Sequence, residues 1–203
     1  MTAPTQARPV VLVSEAARRI GAVIAQTLHA AGHDLALHCR NSRDDLDQLI
    51  AKLERERPNS TLALQADLSD LTQMPALIEA TMQRFGRLDG LVNNASDFFA
   101  TAFGSVTSEQ WDRLFASNAR APFFLAQAAA PQLKKTGGAI VNLLDIYAER
   151  PLAGHSVYCM AKAAQAAMTH ALALELGPEV RVNGVAPGAV MWPENGTSYA
   201  NKD

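Results

Sequence analysis

Residues 139–162 read AIVNLLDIYAERPLAGHSVYCMAK. The first six are an uninterrupted apolar run apart from Asn142, bounded upstream by Gly137 and Gly138, which is the pattern of a short buried strand. Asp145 then stands at that strand's carboxyl end, the edge at which open α/β sheets bind their ligands. Beyond the turn residues Pro151 and Gly154 an alanine-rich helical pattern starts near His155, and it sets Tyr158 and Lys162 four residues apart on one face. A phenol beside an ammonium has a chemical use. The cation stabilises the phenolate and makes tyrosine, ordinarily titrating near 10, an acid matched to a carbonyl or imine. The spacing alone is equally consistent with a surface tyrosine and a solvated lysine, so support must come from the rest of the chain.

Working outward, the same alternation recurs on both sides. Residues 9–13 read as a β-branched strand, 16–31 as a helix with Ile20, Val23, Ile24, Thr27 and Leu28 at helical spacing, and Gly32 closes it. Strands at 34–38, 61–66 and 88–93 are separated by helices at 44–57 and 71–85. A helical region at 108–133 precedes the strand at 139–144, and a last strand follows at 180–185. Strands alternating with helices imply right-handed βαβ units and an α/β fold, a doubly wound parallel sheet in a single domain. We expect residues 1–8 to be a flexible lead-in and residues 9–203 to form the domain.

Composition fits this. The 203 residues are 48% hydrophobic and 19% charged with net charge −2, enough chain for one core and no basic cluster to attract nucleic acid. No apolar run approaches the roughly 20 residues that span a bilayer. The N-terminus lacks the apolar centre of a signal peptide, and Cys39 and Cys159 suggest neither a disulfide framework nor a metal site. The expectation is a cytoplasmic protein without nucleic-acid, membrane or metal partners.

The turns at the strand ends carry the remaining signals. After the first strand stands SEAARRIG, residues 14–21, in which only Gly21 survives of the glycines a dinucleotide fingerprint would use. Arg18 and Arg19 offer cations where a phosphate would lie, while Glu15 puts a carboxylate in the same neighbourhood; two surface arginines opening an amphipathic helix account for the segment equally well. The second strand ends in His38, Cys39, Arg40, Asn41 and Ser42. An acid there would bind a ribose 2′-hydroxyl, whereas Arg40 with Asn41 and Ser42 suits a 2′-phosphate and favours NADPH. Asp67, ending the third strand, suits either an adenine amino group or a helix cap.

With Asn93-Asn94-Ala95-Ser96 after the fourth strand, Asn118 in a helix, Tyr158-x-x-x-Lys162, and Pro187-Gly188 after the sixth strand, the chain resembles the short-chain dehydrogenase/reductase family from Pro9 to Gly188. Its details are similar to the pteridine reductases and dihydromonapterin reductases: Asp145 where most relatives carry serine, Arg19 in place of a glycine, the segment from Leu37-His38 to Ser42, and Phe98 just beyond Ser96. The resemblance implies a Rossmann fold and hydride transfer from NADPH. It implies that Tyr158 donates the proton, that Lys162 binds the nicotinamide ribose and lowers the tyrosine's pKa, that Asp145 orients or reprotonates Tyr158, and that Asn118 holds a water.

Carried over in the same way, cofactor contacts fall on Ser14, Arg19, Ile20, Gly21, His38, Arg40, Asn41, Ser42, Asp67, Leu68, Asn94, Ala95, Ser96, Tyr158, Lys162, Pro187 and Gly188. Substrate contacts fall on Arg19, Ser96, Phe98, Asp145, Tyr158 and, by position only, Trp192. Phe98 would stack on a pterin; alternatively it is a core aromatic with Phe99 and Phe103. The expected substrate is a dihydropterin or dihydrofolate reduced at C=N, in tetrahydrobiopterin or tetrahydrofolate metabolism, by a homotetramer.

Two departures stand out. Glu15 occupies a position that is normally glycine, and family members continue past Pro187-Gly188 into substrate-covering helices and a seventh strand, whereas here Trp192 to Gly196 runs into a polar tail. We therefore expect the last strand and the substrate-loop helices to be lacking and the sixth strand to lie at an exposed edge. The alanines Ala121, Ala126, Ala163, Ala164 and Ala167 serve either subunit packing or the internal core. Two rival readings remain: a reductase of another carbonyl such as a 3-oxoacyl thioester, and a nucleotide-binding protein without catalysis.

Overall fold

The computed structural model describes residues 8–188. The expected flexible segment up to residue 7, and Trp192, lie outside the described residues. Six parallel strands form one sheet in the order β3-β2-β1-β4-β5-β6: β1 Val10–Val13, β2 Asp34–Cys39, β3 Thr61–Gln65, β4 Gly90–Asn93, β5 Ala139–Leu143 and β6 Arg181–Val185. The helices are α1 Arg19–Ala30, α2 Arg43–Glu56, α3 Met74–Phe85, α4 Ser108–Phe115, α5 Ala121–Thr136 and α6 Ser156–Leu176. This is the doubly wound α/β fold expected from the alternation.

Central β1 explains the two-layer cover. All four of its residues are buried, and because side chains alternate across a strand, Leu12 points to one face and Val11 and Val13 to the other. Leu12 joins Leu91, Ile140, Leu125, Leu133 and Leu172 in one core. Val11 and Val13 join Leu35, Leu37, Leu46 and Leu53 in the second, beneath α1 and α2. The chain reverses its winding between β1 and β4, and a crevice opens there at the carboxyl ends of the strands.

Three boundaries differ from expectation, each for a local reason. The helix expected from residue 16 starts at Arg19, because residues 14–18 are held as a turn by bonds from Ala16 N–H to the His38 carbonyl and from Asn94 Nδ2 to the Ser14 and Glu15 carbonyls. The helical region expected at 108–133 runs to Thr136 and is interrupted by a π-turn, Ala116–Arg120. Its start is fixed by a reciprocal cap between Thr107 and Gln110. The helix expected from residue 71 opens with a 3₁₀ turn, Leu71–Gln73, capped by Asp70.

Among the described residues β6 is the sheet's edge, pairing only with β5 and leaving Arg181, Asn183, Gly184 and Val185 exposed. The alanines divide: Ala121 and Ala126 are buried in the internal core, whereas Ala163 and Ala167 are exposed on α6. No helix among the described residues is long and apolar enough to cross a membrane.

Candidate active site

Four side chains meet above the ends of β4 and β5. Asp145 leaves β5 in extended conformation and caps the short 3₁₀ turn Ile146–Ala148, accepting from Tyr147 N–H at 2.9 Å through Oδ1. Its other oxygen, Oδ2, accepts the Tyr158 hydroxyl at 2.7 Å. Both carboxylate oxygens are thus engaged, which fixes the group between strand and helix. One helical turn past Tyr158, the Lys162 ammonium donates to the Leu143 carbonyl at 2.7 Å and to Gln165 Oε1 at 3.1 Å. Gln165, three residues after Lys162 on the same helix, was not singled out from sequence; its signal was that spacing, in a segment otherwise alanine-rich.

The electrostatics differ from expectation in one respect. The phenol of Tyr158, 3% exposed, is pushed above the ordinary tyrosine range first by burial and then by its hydrogen bond to Asp145 and that carboxylate's charge; only a contact with Ser96 works the other way. Lys162 lies 5.9 Å from the centre of the Tyr158 ring and spends its donors on β5 and Gln165. Burial first and the carboxylate second thus raise the phenol's pKa, against the depression expected from a neighbouring ammonium, which here is turned toward β5 and Gln165. Burial also lowers Lys162 to about 8, partly countered by the charge of Asp145.

The π-turn supplies the next part. It inserts one extra residue per turn, which aims Asn118 inward, fully buried, where Nδ2 donates to the Asp97 and Leu114 carbonyls at 2.9 and 3.0 Å. With its donors used on backbone, Asn118 Oδ1 is left to accept the Ser96 hydroxyl at 2.7 Å. Ser96 thereby stands between Asn118 and Tyr158. Phe98 is 42% exposed, edge-on to the Tyr158 ring at 4.8 Å and stacked on His155 at 4.7 Å, while Phe103 is 95% exposed, so these two do not form the core aromatic group that one reading allowed. His155, whose ring stacks on Phe98, borders the site.

The nucleotide-side residues gather around the β1 turn. The Ser14 hydroxyl accepts from Asn94 and Ala95 N–H at 2.9 and 3.0 Å, joining β1 to β4. At Gly21 an added Cβ would stand 2.2 Å from the Glu15 carbonyl, so α1 approaches the turn at a distance only glycine allows. His38 is fully buried, accepts from Glu15 N–H through Nδ1 and bonds the Ala66 carbonyl through Nε2; burial holds it neutral, at about 4. It offers a ligand no surface, and it supports the turn from below.

Other expected contacts sit at the same edge with varied exposure. Arg19 is exposed at the start of α1, beside half-buried Ile20, and Arg18 is turned away into an ion pair with Asp45 of α2. Arg40, Asn41 and Ser42 follow β2. Asp67 lies two residues past β3 with its carboxylate accepting from Ser69 N–H at 2.9 Å, a local turn and not a cap for α3, and Leu68 is buried. The Pro187 carbonyl accepts from Ile146 N–H at 3.2 Å, which brings Pro187 and Gly188 to the Asp145 turn. No group of three or more His, Cys, Asp or Glu among the described residues has the geometry to hold a metal ion.

The family model described as short chain dehydrogenase matches residues 9–202. A pteridine reductase 1 from Leishmania tarentolae is 37% identical over 233 residues, covering 96% of this chain and 80% of its own. An L-xylulose reductase from Bos taurus is 38% identical over 196 residues, covering 94% and 75%. A 3-oxoacyl-[acyl-carrier-protein] reductase from Staphylococcus aureus is 31% identical over 182 residues, covering 89% and 74%.

Proposed function

The chain belongs to the short chain dehydrogenase family of oxidoreductases, and from that premise we propose that it reduces a dihydropterin to the tetrahydro form with NADPH. The observation that carries the proposal is the 2.7 Å hydrogen bond from the Tyr158 hydroxyl to a carboxylate, Asp145, at the end of β5. A serine there would chiefly hydrogen-bond a carbonyl oxygen, whereas a carboxylate can relay a proton toward a ring nitrogen.

The donor chemistry of the crevice fits a nicotinamide dinucleotide. Lys162 has three N–H bonds, of which two go to Leu143 and Gln165 among the described contacts, leaving one for a ribose hydroxyl. Arg40, at the end of β2, suits a 2′-phosphate. The bound cofactor would supply the hydride. Tyr158, which carries its hydroxyl proton in the bond to Asp145, gives a proton to the substrate nitrogen. Asp145, half-buried and so within reach of water, would take up a proton from solvent and pass it to the phenolate oxygen across the short distance that the hydrogen bond spans. Phe98, 42% exposed beside Tyr158 and stacked on His155 through one ring face, would offer its other face to a flat heterocycle. Ser96, anchored by Asn118, fixes the edge of that substrate against the cofactor.

A second reading, reduction of a ketone or 3-oxoacyl thioester, has support in the similarity to reductases of those names. Steady-state oxidation of NADPH with dihydrobiopterin, dihydromonapterin and dihydrofolate, set beside a ketone panel, NADH and a Tyr158→Phe control, separates the two. We expect dihydropterin turnover that is lost in the control. Turnover confined to ketones would reject the pterin assignment. The exposed apolar stripe on α6, with Met160 43% and Leu174 86% exposed beside Ala163 and Ala167, supports self-association into a homo-oligomer, a tetramer by family resemblance.

A further inference from the structure

Glu15 combines two features that do not occur together by default. Its backbone lies in the left-handed region at φ 49°, where side chains are strained, and its carboxylate reaches from the β1 turn to the end of β2, Oε1 accepting from Arg40 N–H at 2.9 Å. The turn leaves it little choice. Its N–H is taken by His38 Nδ1 at 3.2 Å and its carbonyl by Asn94 Nδ2 at 2.9 Å, so the backbone is clamped between β2 and the end of β4. Burial pushes the carboxyl above its ordinary range, opposed by the Arg40 bond and charge and reinforced by the carboxylates of Asp97 and Asp67. A half-buried carboxylate is thus seated on a backbone donor beside the one cationic side chain that ends β2.

In doubly wound nucleotide-binding folds an acidic residue at this place accepts a ribose 2′-hydroxyl, and an arginine accommodates a 2′-phosphate. Here the arginine comes from β2 and the acid comes from the β1 turn. We infer that Glu15 is a cofactor-discriminating residue: it occupies the anion position on Arg40 N–H, opposes a 2′-phosphate that the Arg40 side chain attracts, and so weakens NADPH relative to NADH. The inference rests on the nucleotide-site reading above and adds to it a determinant that works against Arg40.

Glu15→Gln removes the charge and keeps an oxygen acceptor for Arg40 N–H, while Glu15→Gly removes the side chain and suits the left-handed backbone; a cooperative thermal transition verifies that each is folded. Dissociation constants for NADPH and NADH are read by nucleotide fluorescence titration at pH 7.5, without substrate. Both variants are expected to bind NADPH about tenfold or more tighter than the wild type, the scale of one like-charge contact near a protein surface, with NADH unchanged or weaker. NADPH affinity unchanged or reduced in both variants, with binding otherwise intact, overturns the role of Glu15 alone. Failure of all three proteins to bind either nucleotide overturns the nucleotide site and this inference together.

Discussion

Asp145 holds the hydroxyl of Tyr158 2.7 Å away, and the consequences are local and measurable. Asp145→Ala leaves the hydroxyl without its acceptor and removes the proton return; kcat for dihydropterin should fall about 100-fold or more while cofactor affinity changes little, in the range of a lost general acid–base contribution. Lys162 has a different signature. Its ammonium is buried and titrates near 8 in place of 10.5, so the unfolded chain holds the extra proton between those values and folding stability rises with pH across that window. Below about pH 8 the buried charge is a standing cost, hence Lys162→Met should unfold no earlier than the wild type at pH 7 while losing activity. Thermal scans beside turnover assays test that pairing. His38 gives the acid-side counterpart. With its imidazole held at about 4 against an ordinary 6.5, the stability present above pH 6.5 is lost as pH falls to about 4, by about 3 kcal/mol. Urea unfolding at pH 7 and 4.5 should show a smaller difference for His38→Gln than for the wild type.

At the scale of elements, the π-turn and the β1 turn do the positioning. Asn118→Ala removes two donors to buried carbonyls and the acceptor of Ser96, and should cost about 2–3 kcal/mol of stability in denaturant titration as well as raising KM for the substrate. The β1 turn carries strain at Glu15, so Glu15→Gly should raise the unfolding temperature by a few degrees, a gain of about 1 kcal/mol. These elements also mark what could be read from sequence. The strands and most helices were legible because apolar period and β-branched content report burial directly, as in residues 10–13 and 139–143. The π-turn was not, since Ala116–Arg120 keeps ordinary helical composition and only the tertiary contacts of Asn118 stabilise the insertion. Helix α1 was placed three residues early because residues 16–18 have helical composition while hydrogen bonds to β2 and β4 hold them as a turn.

For the whole molecule, two cores on either side of one sheet support its carboxyl edge: the nucleotide-side residues line the crevice where the winding reverses between β1 and β4, and the catalytic group stands beside it at the ends of β4 and β5. Part of the candidate site was legible: the end of β5 and the helical spacing singled out Asp145 and Tyr158, the family resemblance added Ser96, Asn118 and Phe98, and hydrogen bonds and ring contacts bring all five side chains near one another. The direction of the tyrosine's shift was not, because the partner of a phenol depends on which group is within hydrogen-bond reach, and spacing alone cannot show that Lys162 turns to Leu143 and Gln165. On the outside, exposed Met160 and Leu174 lead us to expect that Met160→Glu with Leu174→Glu lowers the oligomer mass seen by light scattering. The central claim is that the carboxylate at residue 145 adapts the tyrosine to a ring nitrogen. It is tested most directly by the ratio of kcat/KM for dihydrobiopterin to that for a ketone substrate in the wild type and in Asp145→Ser, both with NADPH. The account predicts that the wild type strongly favours dihydrobiopterin and that the serine variant loses at least about 100-fold of that ratio; an unchanged ratio, or a wild type that turns over the ketone in preference, would contradict it.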